Sequence, residues 1–364
     1  MKKLRLGVIT LLLSSVALHA KADDKTLNLF SWVNSFDQKI LDEFSAKTGY
    51  RIRNDAFDSD EMLETKLLAG SSGYDLVTPS AFPFLQRGIK VGAVRPFDAK
   101  QVPNVAKLDA AIIDMLKISD PKLNHAVPYA WGSTGMGLNV NKIKEVFPDA
   151  PLDSYDLMFK PENAAKLAKC GFVMVDSATD IVPIAMRYLG IDTYSEDEKE
   201  IDRAFDLLNA IRPYVAYIDA TKYQIELANG SVCAAIGWSG DIISAAKSAA
   251  DAKNGVDISY VIPKEGGLVW MTTLAVPSDA PNPEAGYAFM NYLLDPQIAA
   301  RNTQATGYPV PVPEARQHLP PELAENPALY PPESVKERFF MGSSQAQKII
   351  RYVNRQWTRF RAGN

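Results

Sequence analysis

From Thr26 to Ser80 strand-like and helix-like segments alternate without a break, and this alternation limits the possible folds more than any other feature of the chain. Thr26 to Phe30 reads as a strand. Phe36, Ile40, Leu41 and Phe44 then recur at helical spacing, and Gly49 supplies the stop. Tyr50 to Phe57 is a second strand. Asp58 with Glu61 forms a capping-box-like start to a helix from Glu61 to Ala69, and Tyr74 to Val77 is a third strand closed by Thr78-Pro79-Ser80. Such a βαβαβ run is the unit of a doubly wound sheet, because parallel strands need helical crossovers that cover both faces. Ligands of these sheets bind outside the carboxyl ends of the strands. Two of those ends carry Trp32 and Ser80.

A second rim of the same kind lies at residues 233 to 241. Val232 to Ile236 is an apolar run of strand length, and Gly237 and Gly240 predict a sharp turn bearing Trp238 and Asp241. An Ala-rich helix follows, with Asn254-Gly255 as its stop. A carboxylate beside a flat aromatic face suits a cation, which the ring attracts by roughly 0.5 to 2 kcal/mol. The alternative is that Asp241 caps its helix and Trp238 only packs.

Between and beyond these rims the elements fall into two sets. The glycine-rich extended segment Ala126 to Val140 is expected to cross from one lobe to the other. A helix at Pro161 to Ala168, a strand at Phe172 to Val175 and a helix at Ile181 to Leu189 follow. Asp180 stands at the junction of these last two, a place that the helix dipole alone favours for an acid. Helices at Ser195 to Ile211 and through Ile225-Glu226-Leu227 lead to the second rim. Strands at Val256 to Val261 and Leu268 to Val276 return the chain to the first lobe near residue 260. Helices at Pro283 to Leu294 and Pro296 to Ala305, a proline-rich passage (309–332) and a basic helix at Gln345 to Arg361, read as a solvated face, close the chain. The expected division is 23–132 with 260–305 for the first lobe, and 133–259 with 306–364 for the second.

Residues 1–22 have a basic start, an apolar run from Leu6 to Leu18 and the small-residue pattern Ala20-Lys21-Ala22, the three parts of a cleaved secretory leader. No cysteine adjoins the cleavage site, so a lipid anchor is not expected, and the destination is a bacterial periplasm. The leader holds four of the 39 basic residues and no acid; the remainder is 35 basic against 43 acidic, net −8. That balance disfavours nucleic acid and mildly favours cationic ligands. In an oxidising compartment the two cysteines, Cys170 and Cys233, are expected to pair.

No catalytic constellation emerges. Beyond the leader the only histidines are His125 and His318, far apart and without metal-ligand spacing. Gly-Ser-Thr-Gly-Met-Gly at 132–137 lacks a Walker lysine, and Gly-Trp-Ser-Gly-Asp around Trp238 has the wrong spacing for a nucleophile elbow. The reading is therefore a binding protein, not an enzyme, with no cofactor or metal.

Collinear segments carry a family resemblance over essentially the whole mature chain: Leu27-Asn-Leu-Phe-Ser-Trp32, Phe57-Asp-Ser-Asp-Glu-Met-Leu-Glu-Thr-Lys-Leu-Leu-Ala-Gly70, Tyr74-Asp-Leu-Val-Thr-Pro-Ser80, Leu227 to Asp241, Ile262-Pro-Lys-Glu-Gly266 and Asn326-Pro-Ala-Leu-Tyr-Pro-Pro332. The chain resembles the periplasmic polyamine-binding proteins, the spermidine and putrescine receptors of ABC importers. The resemblance implies a type II periplasmic binding protein fold: two α/β lobes with doubly wound sheets, joined by crossing strands and closing on a ligand in the cleft. It also implies a monomer that hands a small cationic amine to an inner-membrane permease.

By the same resemblance Trp32, Trp238 and Trp270 box the aliphatic chain, and Ser80, Asp180, Asp241 and Tyr308 hold ammonium groups, with Ser35 beside them. Two positions depart from the family pattern. Asn34 and Thr272 stand where acids are common, both at the amine end opposite Asp180 and Asp241. A buried ammonium without a countercharge costs several kcal/mol. The departures thus predict either a ligand with one strongly cationic end, such as an acylated polyamine, or a diamine whose second charge is met by unmatched acids elsewhere in the cleft. A sensory receptor on the same scaffold is a further alternative, and an exported enzyme a more distant one.

Overall fold

A computed structural model of the chain describes residues 25–193, 195–341 and 345–363. The expected leader lies outside the described residues. One sheet runs through the molecule in the order β2 (Arg51–Phe57), β1 (Thr26–Trp32), β3 (Leu76–Val77), β8 (Leu268–Ala275), β4 (Ala126–Asn139), β6 (Ala234–Trp238) and β5 (Phe172–Met174). Two further strands join from the side, β7 (Ile258–Val261) on β4 and β9 (Phe340–Met341) on β8. β1 pairs in parallel with β2 and β3, and β5 with β6, so each end of the sheet is one α/β half. The two halves meet through β4 and β8, which are antiparallel. β4 has 14 residues, long enough at about 3.3 Å per residue to span some 46 Å. Its first part pairs with β8 and its last with β6 and β7, so it runs through both halves of the sheet.

Side chains on either face of β1 enter different clusters: Leu27 and Leu29 pack with Ile40, Phe44 and Leu76, while Phe30 packs with Phe57, Leu63 and Val77. The second lobe has its own core around Phe172, Val173, Ile184, Phe205, Ile236 and Ile242. These cores move two expected boundaries. Ile258 and Leu268 belong to the second core and Leu274 to the first, so the return crossing is made within β8 and not near residue 260. Val310, Val312, Ala315 and Leu319 pack in the first core, so the proline-rich passage stays with the first lobe instead of starting at 306 in the second.

The final helix, Gln347–Ala362, is also not the solvated face its basic residues suggest. Ile349, Val353, Trp357 and Phe360 fall three or four residues apart, and that stripe is buried against the helices Ala178–Tyr188 and Glu198–Ile211. The arginines on the other side dominate its composition and hide the stripe. Cys170 and Cys233 form a disulfide, Cα to Cα 5.5 Å, tying the approaches to the neighbouring strands β5 and β6. Closing so long a loop stabilises the fold by roughly 4 kcal/mol on the chain-entropy model.

Candidate functional site

A cleft of about 1200 Å³ opens between the two lobes at the carboxyl ends of β1 and β6. Trp32, Asn34, Ser35, Ser80, Asp180, Trp238, Asp241, Trp270, Thr272 and Tyr308 all line it. Trp32 on the first lobe and Trp238 on the second meet across it edge to face, ring centroids 6.0 Å apart at 73°. Trp270, on the connecting strand β8, meets Tyr308 in the same manner at 5.2 Å and 68°. The aromatic wall is thus assembled from both lobes and from the strand that joins them.

Asp241 lies in the first turn of the helix Ser239–Ala252, where the dipole favours an anion. Its carboxylate accepts from the Tyr223 hydroxyl at 2.7 Å and the Tyr308 hydroxyl at 2.6 Å. Tyr223 in turn accepts from the backbone N–H of Trp238 at 3.1 Å, which fixes the direction of its own proton toward Asp241. The two glycines serve this arrangement and not a turn. Gly237 is the fourth residue of β6 and Gly240 the second of the helix, with no intervening loop. A β-carbon at 237 would fall 2.5 Å from the Tyr223 ring, and one at 240 would fall 2.5 Å from Cδ1 and Cζ of Tyr308. Both glycines therefore admit the tyrosines that hold Asp241.

Asp180 lies in the first turn of the helix Ala178–Tyr188 and is buried. It accepts from the Trp238 indole N–H at 2.8 Å. Burial pushes the carboxyls of both Asp180 and Asp241 upward, against the lowering effect of these hydrogen bonds. Among the described residues the partners that hold them are neutral, Trp238 with the hydroxyls of Ser177 and Thr134 for Asp180 and two tyrosines for Asp241, so neither carboxylate has a countercharge among them.

The first-lobe wall differs. Asn34 adopts the left-handed region, φ 60°, which asparagine tolerates better than most residues. The carbonyl of Ser35 accepts from the Asn302 side chain at 3.1 Å and from the Tyr129 hydroxyl. Ser80 and Thr272 are paired in an isolated antiparallel bridge. Behind them stands Asp60, buried, accepting the backbone N–H of Ser80 at 3.0 Å. The helix Asp60–Leu68 is capped at Ser59 without a side-chain hydrogen bond, so the expected capping pair of Asp58 and Glu61 gives way to an acid turned to Ser80.

Three contributors to the cleft escape sequence reasoning. Tyr223 sits on a short helix, Lys222–Ala228, whose spacing says nothing of Gly237; Asp60 reads as one more acid of a helix start; and the final helix reads as surface. That helix brings Arg351, Trp357 and Arg361 to the cleft, where the Trp357 indole N–H donates to Asp176 at 2.9 Å and Arg361 pairs with the same carboxylate at 2.9 Å. Among the described residues no group of histidine, cysteine and acidic side chains is placed to hold a metal ion.

The model of the family described as bacterial extracellular solute-binding protein matches residues 39–331. A putrescine-binding periplasmic protein of Pseudomonas aeruginosa is 40% identical over 356 residues, 98% of this chain and 97% of that protein. A putrescine-binding periplasmic protein of Escherichia coli is 39% identical over 344 residues, 94% of this chain and 93% of that protein. The putrescine/agmatine-binding protein of Pseudomonas aeruginosa is 37% identical over 364 residues, 99% of this chain and 98% of that one. Among solved structures, a spermidine/putrescine ABC transporter protein from Listeria monocytogenes superposes with a TM-score of 0.83 at 26% identity, covering 93% of this chain and all of that one. A lipoprotein of Treponema pallidum shares the fold at TM-score 0.79 and 23% identity, covering 93% of this chain and 99% of that one.

Proposed function

The chain belongs to the family of bacterial extracellular solute-binding proteins, and from that premise we propose that it captures a polyamine in the cleft between its lobes and delivers it to an inner-membrane permease. Its place of work is the periplasm, as for the relatives just described, with a leader removed near Ala22 and a monomeric mature chain. The observation that carries the ligand class is the pair Asp180 and Asp241: two carboxylates on an aromatic cleft whose hydrogen-bond donors, among the described residues, are neutral. An ammonium supplies the missing charge to both, and the rings of Trp32, Trp238 and Trp270 cover the aliphatic chain between amines. Tyr308 offers its oxygen to the amine at Asp241, while Ser80, bridged to Thr272, stands with Asn34, Ser35 and Thr272 as neutral hydrogen-bonding groups for the other amine.

The proposal fixes the sign of a pH dependence. The ionised carboxylates bind the cation, and burial has raised both from the ordinary 3.8, so they begin to take up protons at a higher pH than exposed aspartates. Putrescine affinity, followed by tryptophan fluorescence of ligand-stripped protein, is expected to weaken as pH falls from neutrality toward the carboxylate range. Ligand-free stability runs the other way, because a raised folded-state value favours the protonated native state and its contribution is lost as pH rises. An amine affinity independent of pH from 7 down to 4.5 would remove these two acids from the binding site.

A further inference from the structure

Two acids on the cleft wall already have cationic partners: Glu64 is held by Arg87 through two hydrogen bonds of 2.6 and 2.8 Å, and Asp176 by Arg361 at 2.9 Å. Asp60 does not belong with them. It is 94% buried, lines the cleft, and makes its hydrogen bonds to Ser80. Tethering the Ser80 backbone needs only an acceptor, which a neutral amide would supply without the cost of desolvating a charge. The charge at 60 is therefore in excess of what the fold requires. It also stands at a telling place, because Ser80 bridges to Thr272, so Asp60 adjoins the part of the cleft wall where Thr272 provides no anion.

We propose that Asp60 is the negative pole for the second amine of the ligand, acting through Ser80 at the end of the cleft away from Asp180 and Asp241, and so makes the site selective for a diamine over a monoamine. The inference rests on the polyamine reading and deepens it. Asp60 is a positioning and charge-supplying residue, lining the cleft beside Ser80, whose backbone it holds. Its ionisation is coupled to occupancy: burial raises its carboxyl to about 7, with Glu61 on its own helix adding to the rise and Arg87, from the neighbouring helix, opposing it. Near neutral pH a share of the free protein holds a proton on Asp60, and the arriving second ammonium expels it. Affinity for a diamine should then increase as pH rises through about 7.

The test compares wild type with Asp60→Asn, which keeps an acceptor for Ser80, using putrescine and butylamine as probes at pH 6, 7 and 8.5. In the variant, putrescine affinity at pH 8.5 is expected to fall about tenfold or more, as for removal of one member of a desolvated charge pair. Butylamine affinity should change less than about threefold by comparison. The rise in putrescine affinity between pH 6 and 8.5 should flatten, and the proton release seen by titration in two buffers of different ionisation enthalpy should shrink. Thermal melting of the variant without ligand establishes that it folds. Equal losses for both probes, or unchanged putrescine affinity and proton release, would overturn the role of Asp60 while leaving the polyamine reading intact. A folded wild type that binds neither probe, nor any longer polyamine, would overturn both.

Discussion

Asp241→Asn is expected to weaken polyamine binding by about 30-fold to more than 1,000-fold while leaving the lobes folded, the range found when one member of a buried, hydrogen-bonded charge pair is removed. The asparagine oxygen still accepts from one of Tyr223 and Tyr308, and the site keeps its volume, so the loss is that of a countercharge and not of shape. Removing a charge that burial already disfavours should leave ligand-free stability unchanged or slightly higher, since a well-filled neutral replacement of a desolvated charge is often neutral or stabilising. Titration of the variant with putrescine, beside a urea melt of the free protein, separates the two effects. Wild-type affinity in the variant, or a collapse of stability that accounts for the loss, would contradict the assignment.

Gly240→Ala is expected to damage the same site by a different route. The new methyl would lie within 2.5 Å of the Tyr308 ring, and the ring cannot retreat freely because Gly307, beside it, adopts φ 76° and sits so near the carbonyl of Gly240 that a β-carbon on it would fall 2.6 Å from that oxygen. Overpacking of this kind costs typically 1–3 kcal/mol. Moving Tyr308 also removes one donor from Asp241 and one ring from the pair with Trp270. Both a lower urea midpoint and an amine affinity reduced by at least about tenfold are expected, a hydrogen bond to a charged group being worth roughly 1.5–3 kcal/mol. A variant as stable and as tight as wild type would mean that Tyr308 is not needed where it stands.

The sequence discloses this architecture unevenly, and the unevenness has physical causes. Period-2 and period-3.6 patterns are local, so β1, β2 and the helix between them are legible from Thr26 to Phe57 almost residue by residue. Trp32, Trp238 and Asp241 are legible as rim residues because strand ends are local features too. What the patterns miss is partnership across distance. Gly237 and Gly240 read as chain breakers, yet their function is to admit Tyr223 and Tyr308, which lie 14 residues before the one and 68 after the other. Asp60 reads as part of a helix start until the structure turns it to Ser80. The last helix is dominated by arginine in composition, while four apolar residues decide where it packs. Asn34 and Thr272 are visible in the sequence as absent charges, but where a compensating acid could sit is a property of the fold.

The most direct measurement is calorimetric titration of refolded, ligand-stripped mature protein with putrescine, cadaverine, spermidine, agmatine and N-acetylputrescine. Saturable one-to-one binding of a free diamine or triamine, tighter than that of N-acetylputrescine, is the predicted result: two separated negative poles recognise two ammonium groups. Silence toward every free polyamine, with heat from the acylated compound alone, would contradict it, since the cleft would then hold only one working anionic end.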